Sequence, residues 1–167
     1  EMQRVPASPQ ERFQGASQLK LSDKESEALG ASFPEEDADI LPTGEVYVSH
    51  KHVRLRLNSV LGRGQWALLP GGPYTKEEIG DRRRVLQREY DLYVRGHFVA
   101  SSVGEAEYWE GNDRSSWATT AESLKSNALT RACKDLGIAA ECWDKHWTEP
   151  WKKKWAVRVW VKGGRDD

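Results

Sequence analysis

Cysteine is almost missing from this chain: Cys133 and Cys142 are the only two in 167 residues. Two thiols are too few for a disulfide framework or a four-thiolate zinc site, and a reducing compartment is their simplest setting. No apolar run approaches the roughly 18 residues of a membrane span, and no charged-then-apolar segment opens the chain, so a soluble protein with no membrane partner is expected. His50, His52, His97 and His146 are scattered along the chain, and no metal is expected. The glycine-rich stretches Gly62-Arg63-Gly64-Gln65-Trp66 and Pro70-Gly71-Gly72-Pro73 lack the Gly-Lys-Ser/Thr ending that cradles nucleotide phosphates, which argues against ATP-driven chemistry. Neither cysteine adjoins a histidine in sequence, and a thiol nucleophile is not expected. No cofactor follows from any of these features.

A strong net charge is missing too, with 25 basic against 26 acidic side chains. The near-neutral sum hides an asymmetry. Residues 1–40 carry four basic and nine acidic groups, ending in the cluster Glu35, Glu36, Asp37 and Asp39, which leaves 21 basic against 17 acidic groups beyond. The first 40 residues therefore read as an acidic, partly disordered arm with a short helix around Leu21 to Leu29. The remainder is mildly cationic, a balance that permits nucleic-acid binding without demanding it.

The chain's length suits one domain with appendages. Pro42-Thr43-Gly44 reads as a turn, followed by a strand Val46-Tyr47-Val48. Ser49 is a candidate N-cap for a helix to about Leu61, with Val53, Leu57, Val60 and Leu61 as its apolar stripe. A second strand runs from Gln65 to Leu69. From Arg83 to Tyr108 the pattern is a β-hairpin turning at Arg95-Gly96, with Leu86, Tyr90, Leu92 and Val94 on one face and Gln87, Glu89 and Asp91 on the other. Gly111-Asn112-Asp113 makes a loop. The best-defined helix is announced by a capping-box arrangement at Thr119-Thr120-Ala121-Glu122 and stopped by Gly137, its core stripe being Ala121, Leu124, Ala128, Ala132 and Leu136. The last 22 residues, 146–167, form a basic Trp-rich tail closing with a strand Ala156 to Val161.

Phosphate recognition needs cations and hydrogen-bond donors on one surface. The long helix supplies one, where Asn127, Arg131 and Lys134 share a face with small Ser123 and Thr130 at 100° per residue. Arg82, Arg83, Arg84 and Arg88 recur along the hairpin. Single strands are typically held by a cationic groove with aromatic platforms. Eight tryptophans are present, and Trp143, Trp147, Trp151 and Trp155 recur every four residues around Lys152, Lys153 and Lys154. That stripe equally describes a helix docking onto the core with Pro150 interrupting it. Asp91, Glu105 and Glu107 on a hairpin invite a metal-dependent nuclease, but Trp109 stands where such sites place a lysine. A non-enzymatic binder is therefore expected.

Asp39-Ile-Leu-Pro-Thr-Gly44, Arg88-Glu-Tyr90, Val103-Gly-Glu105, Lys125-Ser-Asn-Ala-Leu-Thr-Arg-Ala-Cys-Lys-Asp-Leu-Gly137 and Glu141-Cys-Trp-Asp144 together resemble the mitochondrial genome maintenance protein family. The resemblance spans about residues 39 to 145. The family is related in turn to the Rad-fifty-two-type recombination mediators. It implies an α+β fold in which an antiparallel β-sheet with a β-hairpin packs against one long helix, the Rad-fifty-two-like annealing core. It also implies a core over 41–145, a homo-oligomeric ring, binding of single-stranded DNA with RNA as a second candidate, ATP-independent annealing in mitochondrial DNA recombination and repair, and a place in the matrix nucleoid. Carried over to these positions, it makes Arg131 and Lys134 the leading backbone contacts, adds Lys125, and raises Lys152, Lys153, Lys154 and Trp155 in the tail. The chain departs from the family at Gly62-Arg-Gly-Gln-Trp66 and at Asp91, where a glycine is usual. A carboxylate there repels phosphate if its face lines the groove. The alternative is a family member fixed in a mitochondrial ribonucleoprotein such as the mitoribosome, contacting ribosomal RNA and neighbouring ribosomal proteins.

Overall fold

The structure is a computed structural model and describes residues 9–111 and 116–159. In chain order these form α1 (Pro9–Arg12), α2 (Asp23–Gly30), β1 (Ala38–Ile40), β2 (Val46–Val48), α3 (His50–Leu61), β3 (Trp66–Pro70), β4 (Thr75–Glu78), β5 (Arg83–Val94), β6 (His97–Trp109), α4 (Trp117–Cys133) and α5 (Lys145–Trp155), with single 3₁₀ turns at Glu35–Asp37, Lys134–Leu136 and Ala140–Trp143. The fold is α+β with antiparallel sheets, as expected. No helix among the described residues is long and apolar enough to cross a membrane.

The β5–β6 hairpin is its spine. Arg95 and Gly96 both adopt positive φ, 49° and 79°, the two-residue turn whose twist matches that of paired strands. β6 pairs with β5 along its length, while β3 and β4 lie end to end on β5's other edge, pairing with Tyr90 to Val94 and with Arg84 to Gln87 respectively. β4 is wholly exposed, which is why Thr-Lys-Glu-Glu offers no apolar alternation to read. β1 and β2 form a separate small hairpin around the turn at Pro42-Thr43-Gly44.

The apolar face of β5, Leu86, Tyr90, Leu92 and Val94, is buried beneath α4. Gly104 makes that close packing possible, because a Cβ there would collide with the Leu124 carbonyl and stand 2.9 Å from the Ala128 Cβ. Ser102 donates to the Ala128 carbonyl at 2.6 Å across the same interface. Ser116 is the N-cap of α4, accepting from the Thr119 N–H at 3.1 Å, so the helix begins earlier than the expected start at Thr119. Its buried stripe is Thr120, Leu124, Ala128, Leu129, Ala132 and Cys133. After a 3₁₀ turn, Gly137 in the left-handed region (φ 81°) ends the element, and Ile138 enters the core.

The expected partly disordered arm differs over its described part, residues 1–8 lying outside the described residues. Residues 9–40 pack on the body: Leu29 and Phe33 join the core, and Ser22 and Glu25 close a reciprocal capping box on α2. Arg12 reaches Asp91, donating from Nε at 2.7 Å and Nη2 at 2.9 Å. Asp91, expected with Gln87 and Glu89 on the polar face of the hairpin, is only 2% exposed and also accepts from Ser101 Oγ at 2.6 Å. A buried carboxylate is tolerable only when so paired. Phe13 packs edge-on against Phe98 with ring centroids 5.0 Å apart. At the other end, α5 runs through Pro150 without breaking, and Ala156 to Val159 form no strand, because they are largely exposed and no strand among the described residues pairs with them. Residues 160–161 of that expected strand, and Asn112 and Asp113 of the expected loop, lie outside the described residues.

Candidate nucleic-acid interface

The side of α4 turned away from the sheet lines a groove of about 1270 Å³. Its opposite wall is the β1–β2 turn, β2 and the first turns of α3, and it is closed by the Ala140–Trp143 turn and α5. The helical periodicity of α4 explains this division: with Leu124, Ala128 and Ala132 facing inward, the polar residues one step round the helix must face out. Lys125, Asn127 and Arg131 line the groove with Ser123, Ser126 and Thr130 beside them, and Lys152 enters from α5. Four of the candidates read from the sequence therefore meet on one concave surface. Among the described residues Glu45 and Glu122 are the carboxylates along it, against Arg54, Lys125, Arg131 and Lys152, which makes that lining net positive.

Two of the groove residues also guard the free edge of β6. The Asn127 side-chain oxygen accepts the Glu105 N–H at 3.1 Å, while Arg131 reaches the Val103 carbonyl at 3.4 Å and the Glu105 carboxylate at 3.5 Å. These Arg131 bonds are long and partly exposed, so they hold the guanidinium loosely and leave it able to exchange partners. Lys125 has no ion-pair partner among the described residues. Lys134 stands just past the groove, its ammonium 4.7 Å from the Trp143 ring centroid.

The hairpin arginines lie elsewhere. Arg84 is 8% exposed, pairing with Glu78 and Glu110 and donating to the Gly80 carbonyl. Arg83 pairs with Glu107, and Arg88 donates to the Gly72 carbonyl at 2.8 Å while covering Tyr74. Arg82 is exposed at the open end of the hairpin. Arg83, Arg84 and Arg88 brace the sheet, and none of the four arginines lines the groove. In the tail, Lys153 is exposed, but Lys154 and the Trp155 indole N–H are both engaged by the Glu35 carboxylate, which Lys154 and then Trp155 hold below the usual carboxylate range. Trp151 is buried and donates to the Glu35 carbonyl at 2.9 Å. Of the four spaced tryptophans, Trp151 packs as a helix stripe would, whereas Trp143 and Trp155 are exposed.

Sequence reasoning missed Arg54, His50 and Trp143 as groove residues. By spacing, Arg54 is simply a residue off the α3 core stripe, and its reach into the groove depends on α3 crossing α4, which no local pattern reveals. The Trp143-Asp144 pair could have signalled its role. Asp144 caps α5 by accepting the His146 N–H at 2.9 Å, and Glu141 accepts the Phe33 N–H at 2.8 Å, so the segment is pinned at both ends. Asp91 lies on the face of β5 opposite the one α4 covers, with Arg12 against it, and its charge is turned away from the groove.

The model of the family described as mitochondrial genome maintenance MGM101 matches residues 8–166. A Dictyostelium discoideum protein named mitochondrial genome maintenance protein mgm101 homolog is 38% identical over 156 residues, which is 93% of this chain and 40% of that protein. The mitochondrial genome maintenance proteins of Candida albicans and Schizosaccharomyces pombe are 37% and 35% identical, each over 90% of this chain and over 52% and 53% of their own lengths. The chain thus spans about half the length of these relatives or less.

Proposed function

The chain belongs to the mitochondrial genome maintenance MGM101 family, and from that premise we propose that it binds single-stranded DNA in the groove along α4 and anneals complementary strands without ATP. The observation that carries this reading is the convergence of Lys125, Arg131, Lys152 and Arg54 on one concave surface with Asn127 and Trp143. Cations there hold phosphates, and small Ser123, Ser126 and Thr130 leave room for the strand's backbone to approach the helix. No bond is made or broken. Pairing proceeds because backbone-held strands are brought together at high local concentration, and duplex leaves once formed because it fits a single-strand groove poorly.

The relatives are named for mitochondrial genome maintenance, and the chain's work is accordingly in mitochondria, in the recombination and repair of their DNA. A homo-oligomer, closing into a ring, would line up several grooves along one strand.

Anisotropy of a labelled DNA single strand across a salt series, beside light scattering and a strand-annealing assay, tests the proposal. Salt-steep binding by a homo-oligomer that accelerates annealing is expected. A monomer indifferent to free strands would overturn it and favour a fixed, RNA-contacting place in a mitochondrial ribonucleoprotein.

A further inference from the structure

We propose that Trp143 is a base-stacking platform that takes one nucleobase of the bound strand, so that the groove selects unpaired strands over duplex. The inference rests on the reading of the groove as the strand-binding surface and adds what that surface does to the bases.

Trp143 is the last residue of the Ala140–Trp143 turn, and its side chain is 59% exposed. Trp151, on α5, is by contrast buried to 5% exposure with its indole N–H satisfied. Trp143 instead stands in the groove wall with Lys125, Arg131 and Lys152, and its N–H makes no hydrogen bond among the described residues. The backbone beneath it is held firmly. The Cys142 N–H donates to the Ala139 carbonyl at 3.1 Å, the Asp144 N–H to the Glu141 carbonyl at 3.0 Å, and the Glu141 carboxylate is tied to Phe33.

With the backbone fixed, only the two side-chain torsions of the tryptophan are left to order when a flat apolar ligand covers the ring. The Lys134 ammonium lies over one face of the ring, 4.7 Å from its centroid, so a base stacks on the opposite face with a cation close by for its phosphate. Apolar flatness beside positive charge is the chemistry of a nucleotide in a single strand. In a duplex both faces of each base are already stacked, and a base must be unpaired and splayed to reach the ring.

The test compares anisotropy of oligo-dT with that of an equally long strand of abasic sites, using the full chain. Wild type should bind oligo-dT about 5- to 150-fold tighter, the range one stacked base supplies. Trp143→Ala should bind both strands alike with the wild-type salt slope, and Trp143→Phe should keep most of the preference. Trp155→Ala, outside the groove, should behave as wild type. Salt-steep binding of both strands with equal affinity by wild type would overturn the platform and leave the groove reading standing; binding of neither would overturn both. A Trp143→Ala protein that keeps the full oligo-dT preference would also sink the assignment.

Discussion

Replacing Gly104 with alanine tests whether α4 sits where the groove requires. A Cβ at 104 would collide with the Leu124 carbonyl oxygen and stand 2.9 Å from the Ala128 Cβ, well inside the separation of about 3.5–4.0 Å at which carbon atoms attract. The obstacle is helix backbone, so no rotamer change relieves it. α4 must withdraw from the sheet, loosening the Ser102–Ala128 and Asn127–Glu105 hydrogen bonds and the packing of Leu124. Overpacking of this kind costs about 3 kcal/mol, the upper end of the usual range. For a chain of this size that lowers Tm by about 6–12 °C. Thermal melts followed by circular dichroism read the change, with Gly72→Ala as the control, because nothing among the described residues lies within 4 Å of a Cβ there. A Gly104→Ala melt within about 2 °C of wild type would refute the packing of α4 described here.

Arg12→Ala strands a buried carboxylate on Asp91 and should cost about 3 kcal/mol in chemical denaturation, with Asp91→Asn in the same chain recovering part of the loss; an unchanged midpoint would contradict the clamp. The Glu25 carboxyl, held by Arg95 and by the Ser22 N–H, is lowered from 4.5 to about 2. A depressed carboxylate contributes stability that is present above its ordinary pKa and lost as pH falls towards the folded value. Glu25→Gln should therefore flatten the stability profile between pH about 4.5 and about 2 while changing its shape little above that window. Because Lys154 is already engaged by Glu35, Lys154→Ala should weaken strand binding less than Arg131→Ala in the same anisotropy assay; the reverse order would place the binding surface on the tail.

The hairpin, α3 and the polar face of α4 are legible in the sequence because their information is local. Period-two alternation marks Leu86 to Val94, and helical spacing groups Asn127, Thr130 and Arg131. The β4 strand is silent because an exposed edge has no apolar residues to alternate. The arm misleads for a different reason: Leu29 and Phe33 are isolated apolar residues, and the partners that fix the segment lie far along the chain, Asp91 for Arg12 and Trp151 for Glu35. Asp91 itself looks exposed by alternation, and only the docking of Arg12 makes its burial tolerable. The groove is half legible. Its α4 wall follows from one helix, whereas Arg54, Trp143 and Lys152 join it only through the packing of three further elements. Of the hairpin arginines, Arg83 and Arg84 carry the right charge but are consumed by Glu78, Glu107 and Glu110 across the sheet, and Arg88 is spent on the Gly72 carbonyl.

Phosphates held in the groove along α4 should show in the salt dependence of single-strand binding by Arg131→Ala with Lys152→Ala. Each phosphate that is no longer neutralised should reduce the slope of log K against log salt by about 0.7, so about 1.4 for the pair, whereas Lys20→Ala with Lys76→Ala, two cations outside the groove, should leave it unchanged. A folded Arg131/Lys152 variant with the wild-type slope would contradict the account.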